Sequence, residues 1–505
     1  MLLDHPLLLH GRPAEVLGSP QPSRRFVSLD MQVNRAIGYG EMKRPAAIFF
    51  ITLGLAFAAR ADVRPNSLFA DNAVLQRGWA IDVFGTAREG EKVTVEFYGQ
   101  KLSTTTTNGQ WKVRLKRMKA NPKPEQMTIT GDNTITLSNI LIGDVWVASG
   151  QSNMERQLGP RDPQPKIENW EAEVAAADYP QVREFYVPHQ AAHAPAADAN
   201  GHWRICSPKT VKDFSAVGYF FARDIHKAEK VPIGVLFSAW GGTVAEAWTS
   251  AESLQTMPDF KSALDNFSKQ SGAKENPNTV TVLFNAMIAP LLSFPIKGAI
   301  WYQGESNNDR ATQYRQLLPL LISDWRQAWR CGEFPFLFVQ IAPHSSIKPE
   351  LREAQLLTLK RVPNSAMAVI TDAGDANDIH PARKQVPGQR LALAARALAY
   401  SEKLEYSGPL FDSLKIEGNK AVLSFGHIGR GLIAKGDSLK GFTIAEVDNK
   451  FLPAQAEIRG NTVVVWSDQV STPVSVRYGW ANVPDGNLFN KEGLPASPFR
   501  TDSNH

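Results

Sequence analysis

The sequence predicts an α/β protein in three parts: a parallel sheet with helices on both faces, flanked by N- and C-terminal β-rich modules. Three observations lead there. Five apolar runs of strand length, "IGDVWVAS", "IGVLFSAW", "KGAIWYQG", "FPFLFVQIA" and "SAMAVITD", lie within residues 141–402. Helical patterns separate them, and strands that alternate with helices imply a sheet covered on both faces. On either side the texture changes to short β-rich runs punctuated by turns.

Residues 62–140 form the first module, with "WAIDVFGTA", "KVTVEFYG", "TNGQWKVRLK" and "MTITGDNTITLSN" as its strands and Asn108-Gly109 as a hairpin signal. In the central part "VGYFFARDIHKAEK" reads as a helix, and so does "TVLFNAMIAPLLSF" until Pro290, which must kink or end it. Arg310 to Trp329 is the clearest helix. Its Tyr314, Leu317, Leu318, Leu321, Trp325 and Trp329 recur near the helical period. Leu391 to Tyr400 makes the last. Residues 403–505 return to β texture in "SLKIEGNKAVLSF", "KGFTIAEVD", "NTVVVWSD" and "PVSVRYGWA".

Two segments precede these parts. "MKRPAAIFFITLGLAFAARA", Met42 to Ala61, has two cations, a 14-residue mostly apolar run and Ala59-Arg60-Ala61. That is the layout of a secretory signal, and the run is too short for a comfortable membrane span. Translation is expected to start at Met42, with residues 1–41 a non-native or disordered leader outside the mature fold. The expected location is periplasmic or secreted, with no stable membrane anchor once the signal is removed. Export permits disulfides, but Cys206 and Cys331 are the chain's two cysteines, and the sequence leaves their pairing open.

Composition narrows the function. At 43% hydrophobic and 21% charged the chain is ordinary for a globular protein. Of its formal charge of +5, a surplus of three sits in residues 1–61. The rest lacks the basic patch that nucleic-acid binding requires. No C-x-x-C, H-E-x-x-H or acidic calcium loop occurs, so no metal or cofactor is implied. "GRGLIAKG", Gly429 to Gly436, lacks the Lys-Ser/Thr of a phosphate loop.

Ligands of open parallel sheets bind beyond the carboxyl ends of the strands. There the chain places Gly150-Gln151-Ser152-Asn153, Trp240-Gly241-Gly242-Thr243, Gln303-Gly304-Glu305-Ser306-Asn307, Pro343-His344, and Asp372-Ala373-Gly374-Asp375 followed by Asp378-Ile379-His380-Pro381. These pieces suffice for acyl transfer. A serine hydroxyl attacks once a histidine removes its proton, a carboxylate steadies the imidazole, and N–H donors receive the oxyanion. Ser152, in the turn, is favoured over Ser149, which is still within the strand. The stretch is not the G-x-S-x-G elbow, because position 154 is Met.

"GQSNME", "WGGTVAEAWTS", "WYQGESN" and "DIHPARKQVPGQRLALAA" together resemble four motifs of the sialate O-acetylesterase family, in their order. The opening "LFADNAVLQRG" and closing "YGWANVPDGNLFNKEGLPASPFR" are similar too, so the likeness spans about residues 63–500. That family belongs to the SGNH-type serine hydrolases. The resemblance implies an SGNH-hydrolase-like sheet, Ser152 as nucleophile and His380 as general base. Asp378 is the expected acid, with Asp375 the alternative because many such enzymes place it three residues before the histidine, where this chain has Asn377. His344 is the second choice of base. The oxyanion donors are expected to be Ser152, Gly241 or Gly242, and the Gln303 amide.

On the substrate side, Arg156 is a candidate partner for a sugar carboxylate, with a surface role as the other reading. Trp301, Trp240 and Tyr302 could stack on sugar, in competition with core packing. Glu305 is also a candidate at the substrate edge, though its cramped loop favours a bracing role. The expected activity is that of a carboxylic ester hydrolase removing O-acetyl groups from glycans, most directly sialic acid. Acetylxylan or another polysaccharide is the alternative substrate. A glycan-binding protein without catalysis is the alternative of another class.

Overall fold

The computed structural model describes residues 62–269 and 276–502. The expected leader and the expected secretory signal lie outside them. In the N-terminal module, β1 (Ile81–Thr86) and β4 (Gln110–Leu115) pair in one sheet. A second sheet holds β2 (Lys92–Phe97), β3 (Gln100–Thr105) and β5 (Asn121–Thr130). Along β4, Trp111, Val113 and Leu115 point inward between exposed neighbours, the period of two expected of a half-buried strand. Asn108 and Gly109 both take positive φ, 53° and 71°, in the tight turn the sequence signals. The strands it joins nevertheless enter different sheets.

The joint between module and core is β6 (Thr134–Gly150), 17 residues long. Its first half pairs antiparallel with β5. Its second half pairs parallel with β9 (Ile233–Ala239) on one side and β10 (Gly298–Tyr302) on the other. The strand therefore runs unbroken through the expected boundary at residue 140.

The central sheet continues outward from this strand. Beyond β9 lie β7 (Tyr179–Tyr186) and β8 (His202–Cys206), and beyond β10 lie β11 (Phe336–Val339) and β12 (Ser365–Ala368). The spatial order is β8-β7-β9-β6-β10-β11-β12, parallel except at β8, which is antiparallel to β7. The five apolar runs are all strands. β7 and β8, whose charged residues hide their period, add a second edge. The chain builds leftward from β6 and then returns to its other side, so the sheet's switch point is the carboxyl end of β6.

Helices cover both faces. Trp146, Ala148, Phe237 and Ile300 pack under α2 (Ala216–Glu229) and α5 (Gln385–Tyr400), against Phe220, Phe221 and Leu391. Val145, Val147, Leu236 and Trp301 pack with α3 (Ala311–Trp329) and α4 (Pro349–Arg361), against Leu318, Trp325 and Leu351. Around Pro290 the expected helix is one wide turn, Phe284–Ile288, and one tight turn, Ala289–Leu291. The C-terminal part is β-rich, with a four-stranded antiparallel sheet of 410–417, 420–426, 462–466 and 455–459. Cys206 and Cys331 are both free thiols. No helix among the described residues is long and apolar enough to cross a membrane.

Asp144 fastens the joint. Fully buried, it accepts two bonds from Arg77 (2.9 and 2.7 Å), one from Gln76 (3.1 Å) and one from the Tyr400 hydroxyl (3.0 Å). Breaking a buried pair by removing one partner costs about 3–5 kcal/mol. Asp144→Ala should lie near the lower figure in a denaturant titration, because Arg77 keeps some access to water.

Candidate active site

β6 ends at Gly150, where backbone meets backbone. Its φ is +139°, and a Cβ there would lie 2.1 Å from the Tyr302 carbonyl oxygen on β10. Only glycine fits this close approach. The Gln151 N–H then donates to the same carbonyl (3.0 Å), and Ser152 opens the four-residue α1 (Ser152–Glu155). Ser152 is half-buried, whereas Ser149 is fully buried within the strand.

Ser152 and His380 line one open cleft of about 510 Å³ at the sheet's switch point. Four strand-end loops build it. The Gln151 side-chain oxygen accepts from the N–H of Ser306 (3.1 Å). Asn153, fully buried, donates to Glu305 Oε1 (2.6 Å) and to the carbonyl of Ile379 (3.0 Å), the residue before His380. Its oxygen accepts from Lys384 Nζ. Glu155 Oε2 accepts the N–H of Gly241 (2.8 Å).

His380 Nδ1 lies 3.6 Å from Asp378 Oδ1, and the same oxygen accepts the His380 backbone N–H at 2.7 Å. Asp378 is thus the acid that faces the imidazole. Asp375 is exposed and bonds the N–H of Asn377 instead. His344 does not line the cleft and bonds Ser346 (2.8 Å).

Four expectations change. The Gln303 amide is fully buried and spent: both its N–H groups donate, to Thr243 O (3.1 Å) and Asn307 Oδ1 (2.7 Å), and its oxygen accepts from Tyr314 (2.9 Å). It has no donor left for an oxyanion. The Gly241 N–H is committed to Glu155, so the free donors here are the N–H groups of Ser152 and Gly242, neither of which has an acceptor among the described residues. Arg156 is buried and satisfies the carbonyls of Gln157, Gly159 and Pro165 rather than a ligand. Trp301 is fully buried, edge-on to Trp248 and Trp325 in the core.

Glu305 does line the cleft, but its Oε1 is held by Asn153 and its Oε2 is buried, so the carboxylate faces the protein. This is the bracing role. Of the three aromatic candidates only Trp240 reaches the cleft, stacked on His189 at 4.3 Å. Tyr302 is in the core.

Charges tune the site. Burial pushes the Glu305 carboxyl above its ordinary range and pulls Lys384, packed 5.5 Å from the Tyr302 ring, down to about 7. Burial, then the neighbouring Lys384, holds the His380 imidazole below its usual value, against the pull of Asp378. A neutral imidazole at neutral pH is the form that accepts a proton. Burial would raise Glu155, but His189, Arg161 and the Gly241 N–H together hold it below the ordinary carboxylate range.

Sequence reasoning missed Lys384, Asn153 and Glu155 as organisers. All three lie inside the quoted motifs, where the pattern of residue types is visible but the pairing between strand ends is not.

The chain is similar to known carbohydrate esterases. The family model of carbohydrate esterases described as sialic acid-specific acetylesterase matches residues 142–396. Human sialate O-acetylesterase is 32% identical over 471 residues, covering 82% of this chain and 86% of its own. The mouse protein of the same name is 30% identical and covers 92% of this chain and 99% of its own. A crystal structure of a carbohydrate acetylesterase from Xanthomonas citri is 40% identical, with a TM-score of 0.80 over 87% of this chain and 100% of that one. The chain belongs to the sialate O-acetylesterase family of carboxylic ester hydrolases.

Proposed function

We propose that the protein is an exported serine esterase that removes O-acetyl groups from glycans, in the first place from sialic acid, through an acetyl-enzyme on Ser152. One observation carries the mechanism: Ser152 and His380, from opposite ends of the catalytic region, line the same cleft at the switch point of the sheet. The substrate is supported by the kinship with sialate O-acetylesterases.

In this reading Ser152 Oγ attacks the acetyl carbonyl while His380 takes its proton. The Asp378 carboxylate steadies the imidazolium, closing from 3.6 Å as charge develops. The oxyanion is received by the N–H groups of Ser152 and Gly242. Glu155 sets the turn that offers the second by fixing Gly241. The C–O bond to the sugar breaks, and the departing oxygen takes the proton from His380. Water, deprotonated by the same imidazole, then attacks the acetyl carbonyl. Acetate leaves, and Ser152 recovers its proton.

Ser152→Ala should lower p-nitrophenyl acetate hydrolysis by at least ~10³-fold, and residual activity near wild type would refute the assignment. Released 9-O-acetyl groups from sialic acid, set against acetate from acetylated xylan, identify the sugar. A fluorophosphonate that fails to label Ser152 would favour a glycan binder without catalysis. The export half rests on Met42 to Ala61, and N-terminal sequencing of the mature protein should begin near Asp62.

The charges around His380 give a signed prediction. The acid limb of kcat/KM reports its pKa in the free enzyme. Lys384 disfavours the imidazolium, so Lys384→Met should move that limb up in pH. Asp378 favours it, so Asp378→Asn should move the limb down as well as slow the reaction. A pH–rate profile of each variant checks the opposite directions.

A further inference from the structure

Among the described residues Arg161 is the one permanent cation lining the catalytic cleft. We infer that it reads the carboxylate of an anionic acetylated sugar, and so sets preference for sialic acid over neutral polysaccharide. The inference rests on the sialate reading above and names the residue behind it.

Three observations support it. First, Arg161 is underused. Its side chain is 39% exposed, and its one side-chain contact among the described residues is a single Nη2 to Glu155 Oε1 separation of 3.4 Å. A guanidinium offers five donors in a planar fork that matches a carboxylate two to one. Second, Glu155 does not rest on Arg161 alone, because that carboxylate also holds the Gly241 N–H at 2.8 Å and faces His189 at 3.3 Å. An incoming anion can take the fork without stranding Glu155. Third, the competing cations are occupied elsewhere. Arg156 is spent on three carbonyls, and Lys384 is buried beneath the cleft with Asn153.

The same cleft is lined by the parallel pair of His189 and Trp240, 3° apart in plane, which supplies a flat wall. Such a wall suits the apolar face of a sugar ring. The cleft thus offers a nucleophile for the ester, a flat surface for the ring and a fork for the acid. A neutral xylan unit would use the first two and leave the third idle.

A carboxylate remote from the reacting carbonyl is held equally in ground and transition states, so its loss raises KM and leaves kcat largely alone. Charge-assisted hydrogen bonds of this kind correspond to about 10- to 100-fold in affinity. The test compares 9-O-acetylated sialic acid with its neutral C1-amide on wild type, Arg161→Ala and Arg161→Lys. Wild type should prefer the acid by about 10- to 100-fold in kcat/KM, through KM. Arg161→Ala should bring that ratio close to one, and Arg161→Lys should fall between, keeping the charge without the fork. Thermal melting reports whether each variant is folded, and Arg161→Gln stands in if alanine is not tolerated. A ratio unchanged in a folded Arg161→Ala overturns the inference while leaving the sialate reading intact. A wild type that is idle on both sialates but active on acetylated xylan overturns the sialate reading and the inference with it.

Discussion

One buried amide holds the site together. Asn153 sits directly after Ser152 and uses both its N–H groups and its oxygen at once. It donates to Glu305 beyond β10 and to the carbonyl before His380, and it accepts from Lys384 at the start of α5. Three loops that are far apart in sequence therefore meet on a single planar group. A side-chain amide with both faces of its chemistry used in the interior has one orientation. Any shift of His380 relative to Ser152 would break a buried bond. The fourth loop is tied by Glu155, two residues later, through Gly241.

The same network explains the electrostatics. Glu305 and Lys384 lie on opposite sides of Asn153, both buried, and each partly offsets the other's charge. The cost of burying them is repaid in position rather than in net stability, as buried ionic groups often do no better than break even. Lys384 also depresses the nearby imidazole. Structural bracing and tuning of the His380 imidazole are thus properties of one set of contacts.

Much of this was legible in the sequence. Five of the six parallel strands announced themselves because each is buried on both faces, so their residues are apolar without interruption, as in Ile233–Ala239. Ser152, His380 and Asp378 stood out because their residue types suit one chemistry and fall at strand ends. What the sequence hid was direction. Gln303 and Arg156 have the right chemistry in the right loops, yet both point inward and satisfy the backbone of neighbouring segments. Arg161 drew no attention because it lies in an irregular stretch with no period to place it. Likewise β7 and β8 carry Arg183, Glu184 and Arg204, whose charges mask a strand pattern until their partners are known.

The seventeen-residue strand β6 has a final consequence for how the protein can be divided. Its outer half belongs to the N-terminal module and its inner half ends at the turn that carries Ser152. A fragment cut to begin at the core would sever the central strand of its own sheet in mid-length and discard the partners of its upstream half. The accessory module is therefore not cargo carried by an autonomous hydrolase. Domain shuffling in this lineage, natural or engineered, would have to move the two as one piece.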